Sequence, residues 1–406
     1  MVFSGSSTAG NATFITSGNG VISFSNVATS GSATFNGTGY IYFIGTSNAG
    51  SSIITGWGVT NFEDMTSASN STINIYGGVQ FSGTSTAANA TLIINGGTAG
   101  FGGAAYFSSK SDGGTASATV NGNSVLDISG LTTTGMNIGS IAGSGTFALG
   151  GKTLTVGGNN LSTVVSGLIV DGGLSGGTGG SIIKTGTGTL TLNGTNTYTG
   201  TTKVNQGGLV VNGSIASSAG VTVSAGATLS GHGNVGVLSG GGLTAPGGSQ
   251  IMTAKSVDLS GSMSFTFQLR QTGAPTYGSA ASSGNDLLDL TSGSPLPGGA
   301  LSAINTFNVD FTGDTLAPGQ LYLGGFYTNA ALNTAAVGTP SFNYTGVTDS
   351  YTIQYEGMVS STARFSGQLP KNGNVMEFEV VPEPGTWGMV VLGAGLLVLF
   401  RRRVRA

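Results

Sequence analysis

Gln80–Asn95 reads QFSGTSTAANATLIIN, and Val2–Ser17 reads VFSGSSTAGNATFITS, nearly the same segment. Neither copy contains a histidine, a cysteine or a charged group. What recurs is an aromatic ring, a run of small hydroxyl and amide residues, and an apolar end. Aligning the copies places Phe3, Phe24, Phe43, Phe62 and Phe81 in one column at spacings of 21, 19, 19 and 19 residues. Phe107 follows after 26, with an insertion around GGTAGFGGAAY. Nine residues beyond each of the first five rings stands a small residue that opens a strand: Ala12, Ala33, Ser52, Ser71 and Ala90. In the sixth unit the SATV segment puts the matching residue at Ala118. A period of about 20 residues with two or three short strands per unit is the pattern of a solenoid. One unit cannot bury its apolar side alone, so coils stack ring on ring and their strands pair in parallel ~4.8 Å apart. The predicted fold is all-β, a parallel β-helix with the six phenylalanines as its internal stack.

Composition agrees with many short strands and tight turns. The chain has 406 residues, of which 75 are Gly and 9 are Pro, with no G-X-Y period. Glycine mixed with Thr, Ser, Asn, Val and Ile is what turn-separated strands require. Charged residues make up only 7% of the chain, so hydroxyl and amide groups must wet its surface. Disordered chains tend instead to be charged and poor in β-branched residues. The net charge is −3, but the signs are segregated. Four of the twelve basic residues fall in the closing RRRVRA, leaving eight against fifteen acidic residues upstream. With so little basic charge upstream to neutralise phosphates, no nucleic-acid partner is expected. The absence of cysteine rules out disulfides, thiolate zinc sites and cysteine nucleophiles.

The clearest unit is KTGTGTLTLNGTNTYTGTTKVNQGGLVVNG at Lys184–Gly213. TLTL and LVVN read as buried strands, and NG, GTG and QGG supply turns. The opening KTGTGTLTL, the central NTYTGTT and the closing GGLVVNG resemble the passenger-associated strand repeat of bacterial autotransporters and other surface proteins. The continuation VTVSAGATLSGHGNVGVLSGGGLTAPGGS extends the resemblance to residue 249. The resemblance implies that the β-helix is right-handed. Autotransporters end in a membrane barrel of many alternating strands. Here SFTFQL, FNVDF and YTIQY are too few and too widely separated for one.

After LPKNGNVMEFEV the chain becomes VPEPGTWGMVVLGAGLLVLFRRRVRA. The run from Trp387 through Leu392 and Leu396 to Phe400 is apolar or Gly, and Arg401, Arg402, Arg403 and Arg405 follow at once. A buried helix would pay heavily for those arginines, so a single C-terminal transmembrane helix is predicted, with the arginines as a cytoplasmic stop-transfer lock. Val381, Pro382, Glu383 and Pro384, the apolar run and the arginine cluster together resemble the PEP-CTERM sorting domain. That resemblance implies an exported chain held briefly in the inner membrane of a Gram-negative, exopolysaccharide-producing bacterium. It also implies an exosortase as processing partner near Pro382–Pro384, and delivery to the cell surface or extracellular matrix. The opening MVFSGSSTAGNATF has neither a basic start nor an apolar core, and Phe3 already stands on the ladder. The chain is therefore read as opening inside a repeat, with an upstream signal peptide expected.

The expected organisation is degenerate β-solenoid repeats at 1–180 and the strand-repeat β-helix at 181–250. A less regular β-rich C-terminal region at 251–370, a linker at 371–381 and the sorting and anchor segment at 382–406 follow. Chemistry is hard to place on this frame. His232, the only histidine, sits between glycines with no partner for a catalytic set. GSGTFALGGKT at 143–153 lacks the first glycine of a phosphate loop and leads into a strand. Glu63, Asp64, Asp112, Asp127 and Asp171 are the only acids before residue 250, and the adjacent Glu63 and Asp64 would point to opposite faces of a strand. No catalytic residue, metal or cofactor is expected. The expected function is a non-catalytic structural protein of the surface or matrix, in contact with exopolysaccharide or other matrix glycans. One alternative is a glycan-binding adhesin using Tyr322, Phe326 and Tyr327. The other is a β-helix polysaccharide lyase or hydrolase using Asp286 and Asp289.

Overall fold

The computed structural model describes residues 1–97, 102–247, 251–258 and 263–268, and the strands 287–289, 306–310, 321–328, 341–345, 351–360 and 374–382. Among these residues every regular element is a strand, and no helix is long and apolar enough to cross a membrane. The transmembrane segment expected at Trp387–Phe400 lies outside the described residues. The chain divides into two compact units, Met1–Leu243 and Thr244–Ala406.

The first unit is a parallel β-solenoid whose coil has three faces. One face is the nine-stranded ladder that runs from Val2–Phe3 through Val21–Phe24, Tyr40–Phe43, Val59–Phe62 and Gly78–Phe81 to Leu168–Val170. A second is the seven-stranded ladder from Thr13–Thr16 to Ser140–Ala142. The third face begins as a bare line of single bridges, Thr8–Thr29–Asn48–Ser67–Thr86–Asp112. Between residues 125 and 170 the faces trade roles. Gly135–Ile138 and Thr153–Val156 found a new ladder that continues through Ser181–Lys184, Thr201–Val204 and Gly220–Val223. A bridge from Gly143 to Val165 hands the second face on to Thr163–Val165 and Thr189–Leu192. The first ladder ends at Leu168–Val170, and single bridges at Thr195–Ser214–Asn234 appear instead.

The interior explains the period. Phe24, Phe43, Phe62, Phe81 and Phe107 are buried, and Phe3 is half-buried at the first coil. Successive ring centroids from Phe3 to Phe107 lie 4.8, 5.0, 4.7, 4.8 and 4.7 Å apart with interplanar angles of 3 to 9°. That spacing is the coil rise itself, so only a residue of the same shape in every coil keeps the rings in contact. Phe14 and Phe35 stack at 5.2 Å, and their column continues with Ile54, Ile73 and Leu92. The bridge corner is lined with buried small residues, among them Ala49, Ala68 and Ala87, which leave room for the rings. The sixth unit corrects the alignment: Ala118 pairs with Leu92, and it is Ala116 that stands in line with Ala90. The offset of nine from the ring is therefore kept at Phe107, and the insertion before it does not disturb the coil that follows.

Both bends that flank the bridge column use left-handed backbone. At the second residue after each bridge, Gly10, Gly31, Gly50, Ser69, Ala88 and Gly114 have φ between 51 and 61°. Each of their amides donates to the side chain of the bridge residue two positions back, at 2.9 to 3.1 Å. The TAG, TSG, NAG, SAS, TAA and DGG triplets are thus one stacked turn, closed by a hydroxyl, carboxamide or carboxylate oxygen, repeated coil by coil. A third bend needs glycine for space: a Cβ on Gly56 would fall 2.1 Å from the carbonyl oxygen of Gly37.

In the second unit, Ile251–Val257, Leu287–Asp289 and part of Leu321–Thr328 pair in parallel, as do Ser264–Gln268, Thr306–Asp310 and Ser341–Thr345. Leu321–Thr328 and Tyr351–Ser360 both pair antiparallel with Asn374–Pro382. The 371–381 stretch, read above as a linker, therefore contributes most of a strand. The alternation in NVMEFEV suits a paired strand, which satisfies its main-chain groups.

Candidate functional site

The acids that could have formed a catalytic pair are occupied by main-chain donors. Asp64 accepts from the Gly45 amide at 2.9 Å, one coil away. Asp112 accepts from Gly114 at 2.9 Å and from Asn137 at 2.8 Å. Buried Asp127 accepts from Ser129 at 2.8 Å and from Leu174 at 2.6 Å, pinning the GGLSGGTGG loop at 172–180. Asp171 holds the other end of that loop. It accepts from the amides of Gly179 at 3.1 Å, Gly180 at 2.9 Å and Thr199 at 3.2 Å, and from the Thr199 hydroxyl at 2.6 Å. Burial alone would raise the Asp171 pKa, but these four donors together outweigh it and hold the carboxyl below its ordinary value. Glu63, half-buried, neighbours exposed Asp64, and exposed His232 lies between Gly231 and Gly233. Among the described residues, no three His, Asp or Glu side chains gather into a group that could hold a metal.

The strand repeat contains polar residues whose roles its sequence does not advertise. Lys184 is fully buried, and its ammonium donates to the carbonyls of Thr185 at 2.6 Å, Gly186 at 2.9 Å and Gln206 at 3.3 Å. It closes the glycine turn beneath it and ties it to the next coil. Asn196 accepts from the Ile169 amide at 2.8 Å and donates to the carbonyls of Gly194 and Ser214, stapling three coils. Tyr198 is buried with its hydroxyl 2.6 Å from that of Thr202, which lies 3.1 Å from the Ser218 hydroxyl. Burial raises the Tyr198 pKa well above the ordinary phenol value. These side chains satisfy buried main-chain and hydroxyl groups.

The described surface carries an open groove of about 820 Å³ along a corner of the first unit. Its floor is a column of left-handed residues, Asn26, Gly45, Asp64, Gly83 and Ser109, with φ of 54 to 73°. Beside it runs a column of exposed side chains, Thr46, Met65, Thr84, Lys110 and Thr132. Elsewhere on this unit Trp57 and Tyr76 stack on one another at 4.9 Å and are half-exposed.

Of the residues singled out in the tail, Val381 and Pro382 end the strand Asn374–Pro382. Glu383, Pro384, the Trp387–Phe400 run and Arg401, Arg402, Arg403 and Arg405 lie outside the described residues. So does Asp286, whereas Asp289 ends the strand Leu287–Asp289. Tyr322, Phe326 and Tyr327 belong to the strand Leu321–Thr328.

No curated protein matches this chain. Residues 182–211 match the family model described as passenger-associated-transport-repeat, over the coils that hold Lys184, Asn196 and Tyr198. Residues 380–405 match the PEP-CTERM protein-sorting motif. The chain thus carries a passenger-associated-transport-repeat within a parallel β-solenoid and a sorting motif that indicates an exported, exosortase-processed protein.

Proposed function

We propose that this chain is a non-catalytic structural protein of the cell surface or extracellular matrix. It is exported, held at the inner membrane by the apolar run and its arginines, and processed by an exosortase near Pro382–Pro384. Its solenoid, right-handed as in the proteins it resembles, then serves as a stiff, nearly uncharged element among matrix glycans. The observation that carries this reading is a sorting motif on a solenoid whose aspartates at 64, 112, 127 and 171 are all engaged in holding turns. A carboxylate committed to main-chain donors is positioned as a turn acceptor, which suits scaffolding better than proton transfer. Stability in such a stack comes from many nearest-neighbour terms, so it tolerates a long polar surface. Surface presentation is tested by protease shaving of intact cells with and without a functional exosortase. Loss of the protein only in processing-competent cells is the expected result, and protection from protease in those cells would overturn the assignment.

A further inference from the structure

The groove on the first unit carries a specific ligand chemistry. Its main-chain amides are spent between coils: Thr46 donates to Asn26, Met65 to Gly45, Thr84 to Asp64, Lys110 to Gly83 and Thr132 to Ser109, at 2.7 to 3.0 Å. A peptide could therefore gain no added strand here. With one lysine in the exposed column, a polyanion finds no row of cations. The hydroxyls of Thr46, Thr84 and Thr132 each donate to the carbonyl one coil below, Asn26, Asp64 and Ser109, at 2.9, 3.1 and 3.0 Å. Their protons point into the protein and their lone pairs outward, so the groove offers acceptors to a ligand rich in O–H donors.

The spacing of these acceptors narrows the class. Thr46, Thr84 and Thr132 fall on alternate coils, with Met65 and Lys110 between them. At ~4.8 Å per coil the acceptors recur about every 10 Å. In an extended ribbon of equatorially linked pyranoses each sugar is turned over relative to the last, so the same hydroxyl edge recurs every second residue, on that same length scale. The intervening Met65 thioether, two-thirds exposed, offers an apolar contact for the C–H face of the sugar between. We propose that this groove binds one uncharged, extended, β-1,4-type polysaccharide strand along the solenoid axis. This deepens the matrix reading above and rests on it.

The test is affinity electrophoresis of the full chain in gels containing hydroxyethyl cellulose, an extended β-1,4 glucan, or dextran, a flexible α-linked one. Retardation by the first polymer alone is expected. Thr46→Val/Thr84→Val and Met65→Ala should each weaken it about fivefold or more with an unchanged circular dichroism spectrum. Absence of retardation by the extended polymer, equal retardation by dextran, or retardation that neither variant alters would each overturn the groove assignment. Failure of the matrix reading appears separately, as protection from protease in the shaving experiment, whatever the gels show.

Discussion

Replacing Phe62 by leucine tests whether ring-on-ring contact, beyond apolar burial, holds the solenoid together. Phe62 is fully buried between Phe43 at 4.7 Å and Phe81 at 4.8 Å, with interplanar angles of 3 and 6°. Leucine keeps most of the buried apolar area but forfeits both stacked faces. Aromatic pairs contribute about 0.5–1.5 kcal/mol each beyond area, so Phe62→Leu should cost about 1–3 kcal/mol. Phe62→Ala also opens a cavity and should reach about 3–5 kcal/mol. Phe3, half-buried with one face-to-face neighbour, supplies the internal control, and Phe3→Leu should cost about half as much as Phe62→Leu. Urea unfolding can be followed through Trp57, five residues before Phe62, in a Trp387→Phe background that leaves one indole. Trp57 reports on the coils around the substitution, which matters in a stack held by nearest-neighbour terms. Equal costs at Phe62 and Phe3, or a Phe62→Leu cost below about 0.5 kcal/mol, would refute the stacking argument.

Three further outcomes follow from single positions. Ser52 and Ser71 bury hydroxyls that find no partner in the protein, in a column that also holds Ala12, Ala33, Ala90 and Ala116, so Ser52→Ala and Ser71→Ala should each stabilise by about 1 kcal/mol in the same urea titration. Ala88 holds a left-handed φ of 51° where four other coils use glycine, and relief of about 1–2 kcal/mol of strain exceeds glycine's entropic cost, so Ala88→Gly should raise the urea midpoint. The folded-state pKa of Asp171 lies below its unfolded value of 3.8, so its contribution is full above that value and is lost as pH falls through the folded one. Asp171→Asn should accordingly flatten the acid limb of a stability-against-pH curve, and an unchanged limb would assign the acid sensitivity to other carboxylates.

Much of the fold was legible because stacking makes it so. Phe24, Phe43, Phe62 and Phe81 occupy equivalent sites in successive coils, and equivalent sites select the same ring, which surfaces as spacings of 19. Ala116 was misassigned to Ala118 because the insertion before Phe107 obscured the count, and only the pairing of Ala118 with Leu92 restores it. The aspartates offer no catalytic pair in the sequence, and the task that each performs was hidden there. The amide that Asp64 accepts is 19 residues away, and those on Asp171 come from its own loop and from the next coil. Nothing in the sequence marks Lys184 for burial, and only the carbonyls gathered around it explain it.

By itself the sequence determined that this chain stacks: a repeated ring, small residues at a fixed offset and glycine-rich turns leave a solenoid as the way to bury its apolar side. It likewise carried the repeat at 182–211 and the sorting motif at 380–405 in contiguous residues. Tertiary structure alone decided how the three faces exchange between residues 125 and 170, which donors each aspartate meets, and that Thr46, Thr84 and Thr132 align along one groove. The physical reason is common to all three. A residue's neighbours along the axis of the first unit come from other coils, 17 to 28 positions away, and their identity depends on a register that local patterns do not encode.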